Sequence, residues 1–192
     1  MALLAESLVE EWLNRSGFFT IRGIRAGVDE LDLLAVRPSP QGLEARHIEV
    51  QMSVNPIAYI APLTEAQTKQ FGKGKTSAWR RPSDALPVSV AAWVDKKYFS
   101  ETKVKARNRA WPGLSWTYHF VHGKVKHEEE LELIRSHGVE IIRFYDVLTH
   151  LCANTERAPK SGAGSDIADM IAYYESLREK IKGARVELNA SQ

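Results

Sequence analysis

Cysteine is almost absent from this chain. Cys152 alone among 192 residues excludes an internal disulfide framework and any zinc cluster built on several thiolates, and it suits a reducing compartment. Long hydrophobic runs are missing too: nothing approaches the roughly 18 uncharged apolar residues of a membrane span. The stretch Met1 to Ala5 meets Glu6 with no basic lead-in, so no signal peptide is expected. These absences lead to the expectation of a cytoplasmic protein with no membrane partner. A glycine-rich loop with P-loop spacing is also lacking, since Gly72-Lys73-Gly74-Lys75 does not provide it, which argues against nucleoside triphosphate hydrolysis. Charge of one sign is scarce overall, with 26 Lys and Arg against 24 Asp and Glu. What is present is 44% hydrophobic and 26% charged residues, the composition of an ordinary globular chain with the length for one domain.

The near-zero balance hides segregation. From Lys69 to Arg109 eleven basic residues stand against Asp84, Asp95 and Glu101. Such a block can neutralise phosphates, and it equally suits a solvated surface.

Hydrophobic periodicity organises the rest. Leu4, Leu8, Val9, Trp12 and Leu13 recur at helical spacing over residues 3–15, and Gly17 ends that helix. Strands are expected over Phe18–Ile24, Val28–Val36 and Glu44–Met52, with Ser39-Pro40-Gln41-Gly42 as the turn between the last two. Thr64–Phe71 reads as a helix, Pro87–Val94 as a β-rich apolar run, and Thr102–Arg109 as a basic helix. Trp116–Val121 alternates as a strand, Glu128–Ser136 is helical, Val139–Phe144 is a strand, and Asp146 caps a helix running to Cys152. The fold class is α/β. Residues 158–165 read as a linker. The segment 166–192 reads as an amphipathic helix and tail with Ile167, Met170, Ile171, Tyr174, Leu177 and Ile181 on one stripe. That stripe packs on its own domain or, alternatively, forms a homodimer contact.

The acidic residues of the 39–42 hairpin are the most informative. A turn centred between Pro40 and Gln41 sets Asp32 opposite Glu49 and Glu30 opposite Gln51. Alternation then sends Leu31, Leu33, Ala35, Ile48, Val50 and Met52 to the other, apolar face. Two carboxylates about 4.5–5.5 Å apart at Cβ repel unless a cation or a raised pKa relieves them. Hard oxygen donors at that spacing suit Mg²⁺ or Mn²⁺.

The opening helix with Glu6, the segment Asp29-Glu30-Leu31-Asp32-Leu33-Leu34-Ala35 and the segment His47-Ile48-Glu49-Val50-Gln51 resemble, in order and spacing, the motifs of the PD-(D/E)XK nuclease superfamily. The resemblance covers about residues 1–55. It implies a restriction-endonuclease-like core of mixed sheet flanked by helices over residues 1–157, with the C-terminal helix as an extension. It also implies a metal-dependent DNA endonuclease in which Asp32, Glu49 and the Val50 carbonyl hold Mg²⁺ or Mn²⁺, with Glu6 bound directly or through water. Gln51 stands where the family carries a lysine that orients or activates the attacking water. This departure supports an alternative, a weakened nuclease-fold protein that binds DNA or a protein partner. Lys69 is the nearest substitute lysine by sequence, followed by Lys73 and Lys75. Together with Arg80 and Arg81 these are the expected DNA-backbone contacts. Gln67–Phe71 also looks loosely like the QxxxY helix of the RecB-type branch.

Other groups carry weaker signals. His119, His122 and His127 lack a completing zinc pattern. Trp116, Tyr118 and Phe120 share a strand face that either stacks on bases or packs a core. Cys152 reads as a small buried hydrophobe.

Overall fold

The computed structural model describes residues 2–27, 29–153 and 162–190, with side chains for 3–25, 27, 29–153 and 165–179. Helix α1 (Ala2–Arg15) buries Ala5, Leu8, Val9 and Leu13 on one side. It stops because Gly17 takes a left-handed φ of 83° while the Phe18 N–H returns to the Leu13 carbonyl, a glycine C-cap that satisfies the last turn. Strands β1 (Phe19–Ala26), β2 (Asp29–Ser39) and β3 (Gly42–Gln51) form an antiparallel meander. A long crossover carries α2 (Glu65–Phe71), α3 (Ala85–Val94), a π-helical turn (Asp95–Phe99) and α4 (Glu101–Ala110) to β4 (Trp116–His122). Strand β4 lies parallel to β3, and β5 (Val139–Arg143), reached through α5 (Glu129–Ser136), lies parallel to β4. Helices α6 (Phe144–Ala153) and α7 (Gly162–Ala190) complete the chain. The protein is thus α/β, a five-stranded mixed sheet in the order β1-β2-β3-β4-β5 flanked by helices. Among the described residues no helix is long and apolar enough to cross a membrane.

Each face of the sheet has its own core. Leu33, Ala35, Ile48 and Val50 pack under α1, α6 and α7, where Val9, Leu13, Val147, Leu151 and Ala168 meet them. On the opposite face Phe120 and Val139 pack with Trp93 and Tyr98, and Leu31 and Leu34 pack with Ala106 of α4. The hairpin register agrees with the expected turn: Leu33 pairs with Ile48 and Ser39 with Gly42.

Leu31, however, does not share a face with Leu33. The β1–β2 ladder skips the pair Gly23 and Asp32, and Gly23 sits at φ +69°. The local break reverses the alternation, so Leu31 turns to α4 while Glu30 crosses to the α1 side, where it raises the pKa of Glu6. A strict period of two cannot anticipate such a break. Gly23 is favoured by its left-handed φ; a Cβ there would come within 2.9 Å of Glu30 Oε1, the tip of an exposed side chain that can move aside.

Three other expectations change. Pro87–Val94 is helical, within α3, because Pro87 falls in the first turn, where its missing N–H is harmless. Leu86, Val90, Trp93 and Val94 then pack at helical spacing. Asp146 is not a cap; α6 begins at Phe144, and Asp146 pairs instead with Arg143 at 2.8 Å. Residues 158–161 of the expected linker lie outside the described residues, and 162–165 already belong to α7. The stripe of α7 is divided: Ile167 and Ile171 pack on the core, Met170 and Tyr174 are exposed, and the Ile181 side chain lies outside the described residues. An ion pair of Arg15 with Asp169 and an Arg15–Ser165 hydrogen bond also tie α7 to α1.

The Gly23 geometry gives a testable contrast. Gly23→Ala, at a left-handed φ of 69°, is expected to lower stability by about 1 kcal/mol, and Gly74→Ala, in open space and without a left-handed φ, to leave it unchanged or slightly higher. Urea midpoints of the two variants measure this; equal effects would contradict the backbone constraint at Gly23.

Candidate active site

The site lies where β2 and β3 separate. Their ladder is paired as far as Leu33 and Ile48. One step beyond, the Asp32 carboxyl takes over the role of a backbone partner, its Oδ2 accepting the Val50 N–H at 2.8 Å. Glu49, on the neighbouring strand, is fully buried. The structure therefore brings together the two acids that register alone set opposite each other.

The repulsion is relieved in both of the ways chemistry allows. First, cations reach Glu49 from across the crossover. Lys97 of the π turn donates to Oε2 at 2.6 Å, and Lys103 of α4 donates to Oε1 at 2.5 Å. His47 adds a third partner, its Nε2 lying 2.9 Å from Oε1. Its tautomer follows from the other nitrogen. Arg107 Nη1 lies 3.0 Å from His47 Nδ1, and a guanidinium only donates, so Nδ1 accepts and Nε2 carries the proton given to Glu49. Burial lowers the His47 pKa to about 4, so the ring is neutral in this role. Burial pushes Glu49 upward, but the His47 hydrogen bond and the Lys97 and Lys103 charges outweigh it and hold its carboxyl at about 2.

Second, Asp32 is pushed up to about 7, chiefly by burial and then by the charge of Glu49. Glu6 of α1 is raised as well, by burial and by Glu30, with Glu49 contributing. It is buried within the field of the pair, and Arg22 and then Lys97 counter the acids around it. Gln51 is half-buried on the same strand as Glu49, and its side-chain amide has no hydrogen-bond partner among the described residues.

The two lysines are not equivalent. Lys103 is buried to within 3% of full enclosure, whereas the Lys97 side chain keeps 32% of its surface. The π turn sets this arrangement. Its wider winding, closed by the Ser100 N–H on the Asp95 carbonyl at 2.8 Å, forms the last turn of the α3 helix, and extended Ser100 (ψ 143°) then breaks the chain away into α4. Tyr98 then points inward, its hydroxyl donating to the His119 carbonyl at 2.9 Å, while Lys97 and Lys103 both reach Glu49.

These residues were missed in the sequence because Lys96, Lys97, Lys103, Lys105, Arg107 and Arg109 read as one basic surface. The available signal was the acid itself: a carboxylate on a strand buried on both faces needs a cation. The expected substitute lysines do not come to the site. Lys69, Lys73 and Lys75 are exposed, Lys75 beside Glu65 at 3.2 Å and Lys73 over the Trp79 ring. Arg80 is exposed too, but Arg81 turns inward, lying over Tyr59 and donating to the Ala61 carbonyl at 2.7 Å. Arg81 is a structural residue, because its guanidinium is spent on a buried carbonyl. Gln67 is likewise structural: it completes the Thr64 capping box and donates to the Ala85 carbonyl at 2.7 Å. His119 and His122 are buried, His127 stacks on Tyr59, and Phe120 packs in the core. Cys152 is half-buried.

A metal would have to use few side chains. Among the described residues no group of three or more His, Cys, Asp or Glu side chains converges to hold one. Two carboxylates and a backbone carbonyl nonetheless match the habit of Mg²⁺, which takes one or two carboxylates and completes its shell with water and phosphate oxygens. The Lys97 ammonium is itself a cation seated on Glu49 and within the field of Asp32. A divalent cation held by Asp32 and Glu49 would have to displace this ammonium.

No family model matches the sequence, and no curated protein matches it. The crystal structure of AF1548, a protein of unknown function, covers 96% of this chain and 100% of its own, at 12% sequence identity and a TM-score of 0.45. That likeness carries no argument about fold family or activity.

The raised Asp32 pKa has a sign that can be tested. The folded chain keeps a proton that the unfolded chain releases near pH 4, so ionising Asp32 costs folding free energy that accumulates up to about pH 7. In EDTA, Asp32→Asn, which preserves the acceptor for Val50, is expected to match wild type at pH 4 and to exceed it by about 1–2 kcal/mol at pH 8, after allowance for partial exposure. Urea denaturation across that range measures the gap; a gap independent of pH would contradict the assignment.

Proposed function

We propose that this protein is a metal-dependent DNA endonuclease with a restriction-endonuclease-like core, hydrolysing phosphodiester bonds at Asp32 and Glu49. One observation carries the reading: two acids on adjacent strands are drawn together at the end of the β2–β3 ladder, beside a cation, at the site of an Asp-x₁₆-Glu-x-Gln pattern that resembles the PD-(D/E)XK motif. The order of helix, strand and acid-bearing hairpin supports it.

Asp32, Glu49 and the Val50 carbonyl would hold Mg²⁺ or Mn²⁺, with Glu6 placed to act through water. A divalent cation bound there supplies positive charge to a phosphate oxygen and acidifies water. The protein's own residues do the rest. His47 and Lys103 keep Glu49 ionised and fix its direction, while the Val50 N–H fixes Asp32. The exposed Lys69, Lys73, Lys75 and Arg80 would contact the DNA backbone, giving affinity that falls steeply with salt and little base preference.

A second reading is favoured by a different observation. Both Glu49 oxygens already have partners, and Gln51 offers no charge, which suits a protein that keeps the fold and binds DNA without cutting it.

Incubation of the purified chain with supercoiled, linear and branched DNA separates the two. Cleavage is expected with Mg²⁺ or Mn²⁺, none with EDTA, and a loss of at least about 100-fold in Glu49→Gln. DNA binding in EDTA should be no weaker in that variant. Metal-independent DNA binding without cleavage of any substrate would replace the nuclease with the binding protein.

A further inference from the structure

Resting on the nuclease reading, we propose that Lys97 is the catalytic cation that the motif lacks at Gln51, delivered to the scissile phosphate from the π turn across the sheet, with Lys103 as a positioning residue. Gln51 holds the expected place on β3 but brings no charge. Lys69, Lys73 and Lys75, the candidates by sequence, are exposed elsewhere. Two ammonium groups do reach the acids. Of these two, Lys97 has the freedom to meet a substrate, since it keeps a third of its side-chain surface and holds the outer oxygen, Oε2, which no other described residue shares. Lys103 is enclosed, and it divides Oε1 with His47.

The local backbone supports a specific delivery. Residues 95–99 take the wider π winding, and the turn is anchored by the Tyr98 hydroxyl on the His119 carbonyl at 2.9 Å and by the Arg107 hydrogen bond to the Tyr98 carbonyl at 2.6 Å. Lys97 therefore emerges at a fixed height over Glu49 and Asp32, and its four-carbon stem lets the ammonium swing outward. Its ammonium donates to the Glu49 carboxylate at 2.6 Å, a charge-assisted hydrogen bond, so it acts through charge and not as a base. In the reaction a water oxygen attacks phosphorus and its proton passes to solvent. The bond from phosphorus to the leaving oxygen breaks with its electron pair on that oxygen, which takes a proton from solvent. Lys97 keeps its protons throughout and donates a hydrogen bond to a non-bridging oxygen as negative charge grows there.

The test compares single-turnover cleavage by wild type, Lys97→Met, Lys97→Arg and Gln51→Lys/Lys97→Met at saturating Mg²⁺, using whichever DNA form the wild type cuts. DNA affinity is measured in Ca²⁺ alongside. Lys97→Met should cleave at least about 100-fold more slowly with affinity changed less than about threefold, and Lys97→Arg should keep more activity than Lys97→Met. Gln51→Lys/Lys97→Met should recover at least about tenfold of the loss, because it returns the charge to the same phosphate from the motif position. Cleavage by Lys97→Met within threefold of wild type, where the wild type still needs Mg²⁺ and Glu49, would overturn the role of Lys97 and leave the nuclease reading standing. If Lys97→Met fails to fold, a folded Gln51→Lys/Lys97→Met that does not cleave overturns it equally. A wild type that cuts no DNA removes both readings together.

Discussion

A carboxylate without solvent accessibility governs this structure. Glu49 lies in the middle of a sheet covered on both faces. An ionised carboxyl there costs several kcal/mol unless charge and hydrogen bonds compensate it. The crossover between β3 and β4 supplies that compensation: α3 brings Trp93 into the core, the π turn brings Tyr98 there and Lys97 to one oxygen of Glu49, and α4, begun after the break at Ser100, brings Lys103 to the other. His47 and Arg107 extend the chain of donors inward, with Arg107 also held by the Tyr98 carbonyl. Removing the enclosed Lys103 would leave Glu49 only partly compensated, a loss of up to about 3–5 kcal/mol by comparison with broken buried pairs. Stabilising such an arrangement by burying apolar residues instead would be simpler, so its retention fits a site that uses charge.

Asp32 and Glu49 illustrate how neighbouring acids divide a role. One is kept ionised at about 2 by its partners, and the other is pushed to about 7 by burial and by the first. Their separation in pKa follows from geometry: Glu49 faces the crossover lysines, while Asp32 points along the sheet to the Val50 N–H and feels only Lys97 as a counter-charge of consequence. A cation entering the gap would lower the Asp32 pKa and release Lys97 from Glu49, so cation binding and the freedom of Lys97 are coupled by electrostatics alone.

Much of this was legible in the sequence, and the limits are physical. Turn chemistry at residues 39–42 fixed the register that faces Asp32 with Glu49, and the rule that opposed carboxylates need a cation or a raised pKa named the means of relief, although the cation expected was a divalent metal and those present are Lys97 and Lys103. The helix of residues 3–15, the helix from Thr64 to Phe71 and the strand at Trp116 were readable from period. Pro87–Val94 was misread because its exposed positions, Pro87, Val88, Ala91 and Ala92, are as apolar as the face that Val90, Trp93 and Val94 bury, so the pattern shows no helical period. That error helped to hide Lys97, since a lysine just after a strand reads as surface. Leu31 was misplaced because the break at Gly23 and Asp32 obeys local backbone conformation and not side-chain alternation. Arg81 looked like its neighbour Arg80, and only the packing of Tyr59 and the Ala61 carbonyl distinguishes them.

The central claim is that Asp32 and Glu49 form a cation site whose charge Lys97 supplies when no metal is bound. Titration of Mn²⁺ into the apo protein, followed by the loss of the free-ion electron paramagnetic resonance signal, tests it without reference to activity. The account predicts one saturable site in the wild type, about tenfold tighter binding in Lys97→Met, where the competing ammonium is gone, and none in Glu49→Gln. Equal affinity in wild type, Lys97→Met and Glu49→Gln, or no binding in any of them at millimolar Mn²⁺, would contradict it.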